Sequence, residues 1–281
     1  MNRSKGKLYI VPTPIGNLKD ITYRAVEILK NSDLIAAEDT RTSYRLLQEY
    51  SIKSALISYH KYNEKARVKL ILEKLNSGLN VSIISDAGTP GISDPAKIIV
   101  QAAIENDLRV EALPGATAFV PALVASGLDT EKFTFIGFLP DKQMLRNKIF
   151  TELKNHKFPI IFYESPRRID KFLQFVYDNW GDRKVAIARE ISKIYETYYR
   201  NKISYFLNNP EIIKAKGEFV IIVDGAKEES WDDNKIKEML RKLIIGGESP
   251  KLAIKKVSKQ TGENKNHIYE LALEIKEENI I

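Results

Sequence analysis

The stretch NVSIISDAGTPGISDP, residues 80–95, decides how this chain folds. Its first part, NVSIISD (80–86), is short, apolar and β-branched, and reads as a strand. The overlapping SDAGTPGISDP (85–95) places two glycines, two prolines and two aspartates in eleven residues. That composition makes a rigid loop with exposed backbone. In open α/β sheets, ligands bind outside the carboxyl ends of the strands, so a strand that ends in such a loop marks a site. The loop lacks the lysine of a Walker motif and does not match GxGxxG, which disfavours a phosphate cradle. It suits a neutral or cationic ligand received by carbonyls and by Asp86.

The same rhythm continues on both sides. LYIVP (8–12), DLIAAE (33–38), ALISY (55–59) and RVEAL (109–113) read as strands, separated by amphipathic stretches at Thr22–Lys30, Arg41–Tyr50 and Asn63–Ser77. This alternation predicts a parallel, helix-covered sheet over residues 1–124. A second set follows: FTFIGFLP (133–140), PIIFYES (159–165), KVAIARE (184–190) and EFVIIVDG (218–225). It predicts a second α/β domain over 125–225, with a hinge around Ala125–Lys132. AKEESWDDN (226–234) has no apolar periodicity and reads as a linker. Three short helices are expected beyond it, at 232–245, 250–261 and 264–276, making a small helical domain over 226–281. Ser249-Pro250 fits a cap followed by proline at the first helical position, and Gly262 fits a stop.

Composition narrows the chemistry. The 281 residues are 43% hydrophobic and 29% charged, ordinary for a globular protein. Cysteine is absent, which removes disulfides, thiolate metal sites and thiol nucleophiles. His60, His156 and His267 are far apart in sequence, so neither a histidine metal site nor a Ser-His-Asp triad is expected. The opening MNRSKGKLYIVPTP is too short in apolar residues for a signal peptide or a spanning helix. A soluble, cytoplasmic protein is expected. The net charge is +7, and residues 131–225 carry most of the excess, with 17 basic against 12 acidic groups. That excess can attract a polyanion or simply be a solvated surface.

Other segments at predicted strand ends join the candidate site. VPTPIGNLKDIT (11–22) stiffens a strand exit with Pro12 and Pro14, and Gly16 permits a close approach; a tight capped turn needs the same residues. AEDTR (37–41) sets Glu38 beside Asp39 and Arg41, beyond what helix capping requires. ALPGATA (112–118) offers a flat backbone and the Thr117 hydroxyl, although small residues also serve helix–sheet packing. FYESPRR (162–168) brings Glu164, Arg167 and Arg168 to a strand terminus. In AREISKIYE (188–196), Arg189, Glu190, Lys193 and Glu196 are either functional or a charge-paired surface.

Taken in order, TPIGNLKDIT, AEDTR, SDAGTPGISDP, LPGATA, FYESPRR, ARE-x-SK-x-YE and KGEFVIIV resemble the tetrapyrrole methylase family, the class III methyltransferases. The SPKLAIKKVSKQTG…IYELAL tail resembles the bacterial branch that modifies ribosomal RNA. The family often has histidine where Arg167 stands, glycine where Ala96 stands and threonine where Ser192 stands, so no histidine acts at 167 here.

The resemblance implies two α/β domains with S-adenosyl-L-methionine in the cleft between them, and no metal. It implies cofactor contacts at Pro14, Gly16, Asp86, Gly88, Thr89, Pro90, Ile92, Gly115, Ala116, Thr117 and Tyr163. The implied reaction is 2′-O-methylation of a cytidine in the decoding region of 16S rRNA, free or in the small subunit. Glu38, Asp39, Glu164, Glu190 and Lys193 are the candidate bases, and Arg41, Arg167, Arg168 and Arg189 the candidate RNA-phosphate ligands. A homodimer is common in the family. The competing readings are a relative acting on a small tetrapyrrole and a non-enzymatic RNA-binding protein; a nucleotide-binding ATPase lacks its lysine.

Overall fold

β-Branched and apolar runs form the strands of the first sheet: β1 (Lys7–Ile10), β2 (Leu34–Ala37), β3 (Ala55–Ser58), β4 (Val81–Ile84) and β5 (Arg109–Ala112). The computed structural model describes residues 5–227 and 232–277. All five strands are parallel, in the order β3-β2-β4-β1-β5. Side chains alternate across the sheet, so Leu8 and Ile10 enter one core while Tyr9 and Val11 enter the other. Helices α3 (Glu64–Asn76) and α4 (Lys97–Glu105) cover the first face through Ile71, Leu75, Ile99 and Ala103. Helices α1 (Tyr23–Lys30) and α2 (Thr40–Glu49) cover the second through Ala25, Leu29 and Leu47. Burial on both faces is why the inner strands β2 and β4 read as nearly continuous apolar runs, while the edge strands β3 and β5 are partly exposed.

Helix α5 (Phe119–Val124) leads to the second sheet, built from β6 (Thr134–Phe138), β7 (Ile160–Glu164), β8 (Lys184–Arg189), β9 (Thr197–Lys202) and β10 (Phe219–Val223). Its order is β6-β7-β10-β8-β9, with β6 and β7 parallel and the other neighbours antiparallel. One face packs against α6 (Gln143–Leu153), α7 (Ile169–Trp180) and α8 (Ile203–Asn208). There Phe150 stacks on Trp180 at 4.4 Å and its carbonyl accepts the indole N–H at 2.8 Å. The other face receives Ala122 and Leu123 of α5. The boundary expected after residue 124 therefore follows a helix whose packing lies with the second sheet. Both sheets belong to one compact unit, Met1–Ala226.

Strand β9 was not expected from its sequence, TYYRNK. It is an edge strand, and its polar, charged residues are what an exposed edge tolerates.

The second unit, Lys227–Ile281, holds α9 (Asp233–Ile245), α10 (Pro250–Thr261) and α11 (Lys265–Glu277). Ile236, Leu240, Ala253, Val257, Ile268, Leu271 and Ile275 form its own core. Pro250 opens α10, although the Ser249 hydroxyl makes no capping bond, and Gly262 ends it in the left-handed conformation. Residues 228–231 of the expected linker lie outside the described residues. Among the described residues, no helix is long and apolar enough to cross a membrane.

Candidate active site

Backbone hydrogen bonds stitch the loops at the carboxyl ends of the first sheet into one floor. After β1, Thr13 exchanges two bonds with Gly88 of the loop after β4, each 2.9 Å. The buried Thr13 hydroxyl donates to the Ser85 carbonyl at 3.0 Å. Thr89 Oγ1 then donates to the Ala116 carbonyl at 2.9 Å, joining the loop after β5. On the other side, the Asp39 N–H donates to Asp86 Oδ1 at 3.0 Å, adding the loop after β2. Gly88 itself has φ +81°, which favours glycine.

The wall opposite comes from one edge of the second sheet. Because β10 runs antiparallel to both β7 and β8, its start lies level with their ends, Phe219 pairing with Glu164 and with Arg189. Phe138 at the end of β6 pairs with Tyr163, and their rings meet edge to face at 5.4 Å. Between the two edges lies a cavity of about 440 Å³, large enough for a cofactor-sized molecule.

Of the predicted residues, Glu38, Asp86, Gly88, Thr89, Ile92, Thr117, Tyr163 and Glu164 line this cavity together. Pro14, Gly16, Pro90, Gly115 and Ala116 are not among its lining residues. A β-carbon on Gly115 would lie 2.6 Å from Pro12 Cβ, so this glycine serves loop-to-loop contact. Ser93, Asp94, Phe138, Ile191 and Glu218 also line the cavity and were not nominated. For Ser93 and Asp94 a signal was present, since they sit in the informative loop. Glu218 reaches the site only through the antiparallel pairing of β10.

The cavity is acidic at the floor. Burial, and then the charges of Glu38 and Asp86, push the Asp94 carboxyl up to about 6. Burial followed by the Asp86 charge raises Glu38, and burial raises Asp86. Tyr163 is raised to about 12, chiefly by burial. Carboxylates in a partly desolvated slot complement a cationic ligand.

Several expected roles need correction. Asp39 caps α2, accepting the Arg41 N–H at 2.8 Å, and pairs with the Arg41 guanidinium at 2.7 Å. The hydrogen bonds from Arg41 hold its carboxyl well below the ordinary range, making it a weak base. Arg168 donates to Glu164 at 2.7 Å and to Asp141 at 3.1 Å, so it neutralises a buried carboxylate within the protein. Arg189 is buried and donates to the Lys216 carbonyl at 2.7 Å, out of reach of a phosphate. Glu190 and Lys193 pair at 2.9 Å, and Lys193 also reaches Glu218 at 3.0 Å. Burial alone would lower the lysine and raise Glu190, but their mutual hydrogen bonding prevails and shifts each the other way. That network ties the loop after β8 to the start of β10 and is not free for proton transfer. Arg41 and Arg167 are exposed, as contact with RNA requires.

The profile of the tetrapyrrole (corrin/porphyrin) methylases matches residues 7–206. The ribosomal RNA small subunit methyltransferase I of Halalkalibacterium halodurans is 41% identical over 273 residues, 95% of this chain and 94% of that one. Its counterpart in Streptococcus pyogenes is 40% identical over 272 residues, 95% of each chain. The crystal structure of uroporphyrin-III-C-methyltransferase from Thermus thermophilus superposes with a TM-score of 0.54 at 16% identity, covering 79% of this chain and 96% of that one. At that identity the likeness speaks for the fold alone. With the two-sheet architecture, the profile and relatives matched over nearly its whole length, the chain belongs to the tetrapyrrole methylase family.

Proposed function

We propose that this protein is a cytoplasmic, S-adenosyl-L-methionine-dependent methyltransferase that modifies the ribose 2′-oxygen of a cytidine in the decoding region of 16S rRNA. One observation carries the substrate reading. The relatives named for small-subunit ribosomal RNA match 95% of the chain and so take in most of the helical unit. The tetrapyrrole enzyme is accounted for at 96% of its length with a fifth of this chain left over.

The cavity suits the methyl donor. A cationic sulfonium fits a slot floored by Glu38 and Asp86, and the Gly88 turn presents backbone to a flat group. When bound, the donor supplies an already electrophilic methyl group. The protein must then align the acceptor, exclude water and receive a proton. Tyr163, Phe138 and Ile191 supply the apolar wall that excludes water. RNA is read mostly as single strands, and the 2′-hydroxyl distinguishes it from DNA.

Mass mapping of rRNA from cells lacking this protein is the test. Loss of one cytidine 2′-O-methyl from small-subunit RNA, restored by purified protein and donor, is the expected result. Deoxyribose at the target should abolish transfer. Unchanged rRNA would place a small tetrapyrrole first.

A further inference from the structure

We propose that Asp94 is the group that takes the proton from the acceptor hydroxyl as the methyl is transferred, an assignment that rests on the reading above. Five carboxylates line the cavity: Glu38, Asp86, Asp94, Glu164 and Glu218. Four already have a donor. The Asp86 backbone N–H faces Glu38, the Asp39 N–H bonds to Asp86, Ser165 N–H and Arg168 hold Glu164, and Lys193 holds Glu218. Asp94 has no hydrogen bond or ion pair among the described residues; only burial and neighbouring negative charge act on it. Of the five, Asp94 alone keeps both carboxylate oxygens unclaimed among the described residues, which suits it best to receive a proton.

The backbone fixes where Asp94 sits. Ser93 before it adopts φ +72°, a strained conformation for a non-glycine residue, and Pro95 after it restricts Asp94 to extended backbone. The strain is matched on the opposite sheet. The β6–β7 register shifts between Phe135 and Gly137, and Gly137 has φ +72°. A β-carbon there would come within 2.9 Å of Ser93 Oγ. The irregularity in β6 thus leaves room for Ser93, and Ser93 presents Asp94 at the cavity. The groups that act on the Asp94 charge are Glu38 after β2, Asp86 after β4 and Tyr163 on β7. Burial and then the two carboxylates disfavour its ionised form, which places its half-ionisation near pH 6 and leaves it mostly ionised, and so able to accept a proton, at neutral pH.

The step balances. The 2′-oxygen bonds to the methyl carbon, the carbon–sulfur bond breaks with its electron pair on sulfur, and the hydroxyl proton passes to an Asp94 carboxylate oxygen. A placed base of this kind contributes roughly 10²–10⁴-fold.

The test is single-turnover methylation of unmethylated small subunits by the full-length protein at saturating donor, across pH, with donor affinity measured by calorimetry. D94N should lose roughly 10²–10⁴-fold in rate while donor affinity stays within about threefold. The wild-type rate should fall at acid pH as a carboxyl with a pKa of about 6 protonates, a limb absent in D94N and recovered, displaced, in D94E. A D94N rate within about threefold of wild type would overturn the assignment. So would loss of donor affinity in step with rate, or persistence of the acid limb. If wild-type protein leaves the small-subunit RNA unmodified, the substrate reading falls and takes this assignment with it. Modified RNA with active D94N removes this assignment alone.

Discussion

Gly16 and Lys193 meet across the two sheets: a β-carbon on Gly16 would stand 2.4 Å from Lys193 Cγ and 3.3 Å from the Ile191 carbonyl. The lysine is held there by Glu190 and Glu218, and nearby the Ser192 hydroxyl donates to Asp20. Gly16→Ala should therefore push the Lys193 stem and the Ile191 carbonyl away from the loop after β1, destabilising the protein by about 1–3 kcal/mol, as over-packing does elsewhere. Thermal melting with and without donor checks this. An unshifted melting temperature would show that the lysine stem simply swings away.

Arg167 and Arg168, adjacent in sequence, should behave differently. Arg167→Ala should leave the fold intact and reduce the salt dependence of RNA binding by up to about one contact. Arg168→Ala strips the buried Glu164 of its cation and should lower stability; breaking a buried pair costs roughly 3–5 kcal/mol, less here because the arginine is partly exposed. Melting curves and a salt titration of RNA affinity separate the two.

Asp94 also has a stability signature. Its folded pKa, about 6, lies above the ordinary aspartate value of about 3.9, so the native state binds the proton more tightly than the unfolded chain. Ionisation therefore disfavours the fold above that value, and the penalty fades as pH falls toward 4. D94N should be more stable than wild type at pH 7.5, by on the order of 1 kcal/mol after solvent screening, and lose that advantage near pH 4. Denaturant titrations at both pH values measure it. Equal stability at pH 7.5 would show the carboxylate to be better solvated than its surroundings indicate.

A chain ending at Ala226 should fold and bind donor, because the two sheets have cores independent of the helical unit. It should methylate rRNA poorly. The segment 226–281 has 11 basic and 11 acidic groups, so its contribution should change little with salt. Undiminished activity would assign the helices a structural part.

The strand-ending loops were legible because their chemistry is local: prolines, glycines and adjacent carboxylates mark strand exits whatever surrounds them. Charge roles were not. Arg167, Arg168 and Arg189 look alike on paper, yet one is exposed, one neutralises Glu164 and one is buried against a carbonyl. Asp39 looked like a base until its own helix claimed it. Strand β9 escaped because an edge strand shows no apolar alternation. The pairing of Ser93 with the Gly137 irregularity joins residues 44 apart and leaves no trace in either stretch alone.

The place of β1 has a consequence in time. It lies between β4 and β5, with Leu8 beside Val81 and Lys7 beside Arg109. During synthesis the first strand made must therefore wait about a hundred residues for its second neighbour, roughly 5–20 s at ordinary elongation rates. Until Ala112 has emerged, the apolar segment Leu8–Val11 has an unfilled edge on the growing chain. Ribosome stalling before that point should leave a protease-sensitive, chaperone-binding N-terminus, and stalling well after it a protected one.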